Sequence, residues 1–438
     1  MKQKLRSIIK SFAGSRGGFS KEPLAAGGIL VILIICLSVS VMGDDTFSVN
    51  GYYKMFFTGF KMPGGEPPLG SVNNRVRLKL TVKPNTWLSV NAAYDFSPRI
   101  QDPGLFSESL FYAAIDPLSY RVDDFNSRLS PAEGKPVSSF GVFHNLDRFF
   151  ITVKTDIMDI FIGRQAIAWG SARVVNPTDI VAPFTFNELD TEERRGVDAV
   201  RVRIPLGMMD ELDMGYIPGE DFRFENSAFY LRGKTYLLKT DLSLVLMRFR
   251  ENFMVGVDVS RSIGGAGFWC EAAYVVPDLF RKEDDPAKGD EKDYFRVSTG
   301  VDYNFSGTFY GFFEYHFNSA GDSDPGKYTG LFDRTAYTDG AVYLMGKHYL
   351  DVGATYQVTP LVPLTGLLIF NVNDGSLTFA PTVEYNIKED IYIGVGAYLG
   401  IGRKPEIYKV SVPANSLRFH SEFGAYPNMF FTSFRIYF

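Results

Sequence analysis

Cysteine is nearly absent from this chain, with two in 438 residues, and tryptophan is almost as scarce at three. Cys36 lies in an apolar stretch near the start, and removal of that stretch leaves Cys270 without a partner. No intramolecular disulfide is then available, even in an oxidising compartment. Histidine is sparse too. His144, His316, His348 and His420 are scattered without ligand spacing, so neither a metal nor another cofactor is expected. There is no Gly-x-Ser-x-Gly elbow and no phosphate loop, and His316 beside Glu314 is the one inward pair of interest. An enzyme is not expected. The formal net charge is -5, with no basic tail or stripe, which argues against nucleic acid. After residue 43 no run of eighteen apolar residues occurs, so no transmembrane helix is available.

What is plentiful is aromatic and small. Phenylalanine numbers 39, tyrosine 24 and glycine 42, yet hydrophobic residues overall reach an ordinary 45%. Apolar residues that alternate with polar ones never accumulate in a hydropathy window, which is how membrane barrels escape helix-based detection. The one long apolar run, Ile29 to Met42, follows Lys2, Lys4, Arg6, Lys10, Arg16 and Lys21 and ends near Gly43. A basic segment, a short apolar segment and small residues predict a secretory signal over 1–43, with the mature barrel over 44–438. The expected location is the outer membrane of a Gram-negative cell.

From Thr46 onward the period is two. Val76, Leu78, Leu80 and Val82 alternate with Arg75, Arg77, Lys79, Thr81 and Lys83. Similar segments recur to the end, at about the nine to eleven residues that cross a bilayer on a tilt. A soluble sandwich also alternates, so the connections decide. Pro84-Asn85, Asp156 and Lys388-Glu389-Asp390 are tight, whereas 98–146, 166–195, 277–292 and 319–346 are long and polar. Short periplasmic turns with long outer loops are the barrel rhythm. The chain stops at an aromatic strand with Phe434, Ile436 and Phe438 in register, the pattern read by the outer-membrane assembly machinery. The fold class is therefore all-β, a single transmembrane antiparallel barrel. Nineteen strand-like segments are visible, and both ends in the periplasm require an even number. Placing the weakest, Leu417–Gly424, in the last outer loop gives eighteen, with sixteen as the second choice.

If the apolar parity faces lipid, the other parity lines the lumen. Early strands then contribute Arg75, Arg77, Lys79, Lys83, Lys154, Arg201, Arg203, Arg232 and Lys234. Later strands contribute Asp258, Glu271, Asp302, Glu314, Asp351 and Glu384. Two readings stay open: opposed walls that select anionic solutes, or interior ion pairs that stabilise the barrel and select nothing.

One segment carries more than periodicity. Gly163, Arg164 and Gln165 lead to Trp169-Gly170, then Asn176-Pro177-Thr178-Asp179, then Asp190 to Asp198 with Glu192, Glu193, Arg194 and Arg195. This resembles a signature of the alginate-export porins and of related uncharacterised outer-membrane barrels. The resemblance implies a monomeric channel for an anionic polymer or other organic solute. A long outer loop without secondary-structure period is more often functional than idle. The expectation is that loop 166–195 folds into the lumen as a constriction. Arg164, Arg173, Glu192, Glu193, Arg194, Arg195, Arg201, Arg203, Arg232 and Lys234 would then line the pore. Gly163, Gln165, Trp169, Gly170, Asn176, Pro177, Asp179 and Asp190 would anchor the loop. The expected function is a porin-like channel for anionic or amphiphilic organic solutes. The alternative is a structural or surface-binding barrel with a plugged pore. Expected partners are outer-membrane lipid and lipopolysaccharide, the assembly machinery, and an anionic solute or periplasmic partner.

Overall fold

The computed structural model describes residues 46–438, apart from 65–66, 104, 106–119, 124–127, 133–134, 136, 283–290 and 408–416. The expected signal, 1–43, lies outside the described residues. Eighteen long strands follow one another. They are β1 (Phe47–Lys61), β2 (Leu69–Asn85), β3 (Leu88–Gln101), β4 (Phe140–Lys154), β5 (Asp159–Gln165) and β6 (Val197–Pro205). Next come β7 (Glu211–Ile217), β8 (Ala228–Leu237), β9 (Thr240–Phe249), β10 (Asn252–Ile263), β11 (Ala266–Val276) and β12 (Tyr294–Ser306). The last are β13 (Phe309–Asn318), β14 (His348–Thr359), β15 (Val362–Asn371), β16 (Leu377–Lys388), β17 (Ile391–Ile401) and β18 (Asn428–Tyr437). Each pairs antiparallel with its neighbours, and β18 pairs with both β17 and β1. The sheet is a closed barrel of eighteen strands, not sixteen.

Closure leaves no unpaired edge, the condition for spanning hydrocarbon with strands. The outer surface carries the apolar parity, with Phe57, Leu78, Phe149, Val200, Leu244, Val301, Val352, Val395 and Phe430 all exposed. Aromatics flank that band. Trp87, Phe305 and Phe309 stand beside the tight turns, and Phe140, Phe229 and Phe295 stand near the opposite rim. Such girdles suit the bilayer interfaces. The rhythm of connections is broken by two short outer turns, Arg250-Glu251 between β9 and β10 and residues 372–376 between β15 and β16. In the last outer loop Leu417–Arg418 forms a two-residue strand against Glu406–Ile407, apart from the barrel sheet.

The inward parity is not polar throughout. In the outer halves of β8 to β11 the inward positions are apolar as well: Ala228, Tyr230, Val245, Met247, Phe249, Met254, Ala273 and Val275 are buried. They form a core inside the barrel with Ile167, Ile180 and Val181 from the loop after β5, and with Ala320, Ala336 and Val342 from the loop after β13. A second cluster joins Val175, Leu344, Tyr349, Ile369 and Phe423. Outer loops after β3 (through Tyr120), β5, β13 and β17 therefore pack into the lumen.

Candidate functional site

Loop 166–196 crosses the lumen at mid-height, and the two walls hold it by different chemistry. A chain segment without secondary structure, buried inside a protein, must find partners for its backbone groups. The acidic wall supplies them. On β10, Asp258 accepts the Ser171 backbone N–H and hydroxyl, both at 2.9 Å. On β11, Glu271 accepts the Thr178 N–H at 2.8 Å and its hydroxyl at 2.7 Å. The same carboxylate takes the Ala172 N–H and the Asn176 amide, each at 3.1 Å. On β13, Glu314 accepts the N–H groups of Arg173, Val174 and Val175 at 2.7, 3.1 and 3.2 Å, together with the Trp269 indole at 2.8 Å. Six loop N–H groups thus end on three carboxylates. Inward donors meet the carbonyls: Ser298 donates to Val175 O at 2.6 Å, and Arg296 donates to Pro177 O.

The basic wall holds side chains. Asp190 lies 2.8 Å from the Lys54 ammonium and 3.0 Å from Arg75. Glu192 also pairs with Lys54 and accepts the Tyr437 hydroxyl at 2.8 Å. Glu193 pairs with Lys79 and stands 3.8 Å from Arg77. Arg77, only 2% exposed, is shared among Asp95, Asp147 and Glu193. Burial pushes the Glu192 carboxyl up, but the hydrogen bonds from Lys54 and Tyr437 outweigh it and hold the group below the usual range.

The motif residues shape the loop's start. Gly163 sits at φ +118°, and a Cβ there would lie 2.3 Å from the Phe149 carbonyl. Gly170 has no room for a methyl, since Asn176 Nδ2 would be 2.4 Å away. Asp179 accepts the N–H groups of Trp169 and Gly170 at 2.8 and 3.1 Å and pairs with Arg194 at 2.9 Å. The Trp169 ring meets Tyr230 edge-on at 4.6 Å, and Gln165 reaches Ala199 O at 3.4 Å.

The expected pore-lining set divides. Arg173 faces the open lumen, half exposed, paired with Asp302 at 2.8 Å and placed over Trp269. Arg194 lies over Phe184, and Arg195 is partly buried. Arg164 departs from the expectation: it is buried at the loop's root on Asp198 and Leu146 O, because the chain turns inward above it. Arg201 and Arg203 do not meet the loop's acids either. Asp213 and Glu211 on the neighbouring β7 take them, and Arg232 shares Glu211 at 3.7 Å. Lys234 pairs with Asp241 at 3.2 Å. Arg164, Arg173, Arg194, Arg201, Arg203, Arg232 and Lys234 are ion-paired, and the acidic wall serves as the loop's docking rail. Both observations favour the ion-pair reading over opposed free walls.

The space left beside the loop is a cavity of about 470 Å³ between residues 172–194 and the wall of β15 to β18 and β1. Arg173, Phe186, Glu188, Thr382, Tyr398 and Arg435 are among its lining residues. Sequence reasoning missed most of these. Lys54 was also missed, since Tyr52 and Phe56 share its face and conceal the polar parity. Its one signal is a lone charge opposite Arg75 in the β1–β2 register.

No family model matches this chain, and no curated protein matches it by sequence. Solved structures match by shape. OccAB3 of Acinetobacter baumannii aligns with a TM-score of 0.53 at 10% identity, over 90% of this chain and 99% of that one. OpdK of Pseudomonas aeruginosa, solved with vanillate, gives 0.52 at 8% identity, over 90% and 98%. OccK5 (OpdH) of Pseudomonas aeruginosa gives 0.51 at 9%, over 90% and 99%. At such identities the likeness is one of fold. The resemblance to alginate-export porins is thereby reduced to what the folds share. A closed eighteen-strand barrel with an apolar, aromatic-girdled exterior is an outer-membrane barrel of porin architecture.

Proposed function

We propose that the protein is an outer-membrane channel for small amphiphilic organic solutes, with loop 166–195 as its constriction. The observation that carries this reading is the cavity beside the loop, which is bordered by wall and loop and mixes charged, hydroxyl and aromatic groups. Its volume of about 470 Å³ suits a single small molecule rather than a polymer, so export of a polysaccharide is not part of the proposal. Arg173, Glu188 and Arg435 bring charged groups to the polar end of such a solute, and Phe186, Tyr398 and Phe431 offer rings to its apolar body. OpdK, a barrel of like fold, was solved with an aromatic carboxylate. Arg201 and Arg203 contribute to this reading only as members of paired networks on the lumen wall.

The four inward-packed outer loops also favour a plugged barrel whose loops act at the surface. Single-channel conductance in a planar bilayer decides between the two. The wild type should conduct, and Thr382→Trp, which fills the cavity from β16, should lower conductance severalfold while the barrel stays heat-modifiable. A silent wild type would establish the plugged reading. Unchanged conductance in Thr382→Trp would place the permeation path elsewhere.

A further inference from the structure

Resting on the channel reading, we infer that Glu188 is the specificity-determining charge of the constriction and makes it favour solutes that carry an ammonium group. The argument is a charge balance over the cavity. Among the described residues, each cation on its lining has an acid beside it. Arg173 is held by Asp302, Arg194 by Asp179, and Arg435 by Glu384. The acid Asp190 is in turn matched by Lys54 and Arg75. Glu188 lines the same cavity, is exposed to it, and has no ion pair. The arginines therefore present neutralised pairs to a passing solute, and one carboxylate remains uncompensated. In a narrow lumen with low-dielectric walls a single fixed charge sets the sign of the local potential. The rings of Phe56, Phe186, Tyr398 and Phe431 around it add faces that attract cations rather than anions.

The groups facing Glu188 are Asp190 on its own loop, Arg194 farther along it, Arg75 on β2 and Tyr398 on β17. Partial burial where the loop meets the wall, with Asp190 nearby, pushes its carboxyl up to about 6 despite a backbone hydrogen bond and the two arginines. It is ionised at neutral pH and titrates just below it.

The test is reversal potential across a gradient of potassium chloride, then of benzylammonium chloride against potassium benzoate. Full-length mature protein and Glu188→Gln are compared, both checked for heat-modifiability. The wild type should prefer potassium over chloride and benzylammonium over benzoate. Glu188→Gln should lower each ratio by about fivefold, the effect of one charge in a constricted lumen. Lowering the pH through 6 should reproduce that loss in the wild type and not in the variant. Anion preference in the wild type, or a variant with unchanged ratios, overturns the inference and leaves the channel standing. Absence of any conductance overturns the channel reading, and this inference falls with it.

Discussion

The two walls that grip loop 166–196 differ in what they grip. On β10, β11 and β13 the carboxylates Asp258, Glu271 and Glu314 take hold of backbone N–H groups. On β1 and β2 the cations Lys54, Arg75 and Lys79 take hold of the side chains Asp190, Glu192 and Glu193. The first kind of contact tolerates change in the loop, since every residue but proline carries an N–H. The second depends on three particular residues. The acidic wall thus fixes the path of residues 171–178 largely whatever their side chains, while the basic wall reads the identity of residues 190–193.

The largest effect should come from breaking the first grip at its wall side. Glu314→Leu leaves three loop N–H groups and the Trp269 indole without their acceptor in a fully buried site. Each unsatisfied buried donor costs about 1–3 kcal/mol, and loop relaxation recovers part, so a net loss of about 3–5 kcal/mol is expected. Guanidinium unfolding of the lipid-reconstituted barrel, followed by tryptophan fluorescence, measures it. A change below about 1 kcal/mol would show that the rail is not what holds the loop.

Lys54→Met breaks the second grip where it is most buried. Lys54 is 1% exposed, yet its partners Asp190 and Glu192 are 13% and 40% exposed, and Arg75 still reaches Asp190. Removing one partner of a buried pair costs about 3–5 kcal/mol, and partial hydration of the acids left behind should bring this to about 2–3. A double-mutant cycle with Asp190→Asn separates the pair from the lost packing over the Tyr52 ring.

That asymmetry also explains what the sequence revealed. Strand positions, closure and lipid parity were legible because alternation is a local signal, written in residues such as Val76 to Lys83. The inward apolar residues of β8 to β11 were not, since they pack on loops far along the chain and read as ordinary hydrophobic strand. Charges Glu192, Glu193, Asp190 and Arg194 were visible as a cluster, but their partners were not. Cross-lumen pairs such as Lys54 with Asp190 span 136 residues and leave no spacing to detect. The docking rail was the least legible element. Glu314, Glu271 and Asp258 were recognisable as inward acids, but the N–H groups they receive belong to every residue type and mark nothing in a sequence.

A smaller effect follows where the rail touches a buried loop side chain as well as its backbone. Glu271 accepts both the N–H and the hydroxyl of Thr178, and that threonine is 2% exposed. Thr178→Val keeps the shape and the N–H and removes the hydroxyl, so about 1 kcal/mol should be lost with the loop in place. An unfolding shift as large as that of Glu314→Leu would mean that side chains, not backbone, carry this wall too.

The smallest effect tests the exposed end of the basic wall. Lys79 is 34% exposed and its partner Glu193 is 20% exposed, with Arg77 waiting 3.8 Å from the same carboxylate. A half-hydrated pair with a second cation in reserve should contribute no more than about 1 kcal/mol, and salt should screen part of it. Lys79→Met should therefore leave the unfolding midpoint nearly unchanged, with the residual difference shrinking as ionic strength rises. Lys54→Met measured in the same series should keep its cost at high salt, because its pair lies where counterions do not reach. Equal salt sensitivity of the two variants would erase the distinction between a buried and an exposed end of this wall. The loop would then rest on the acidic rail alone.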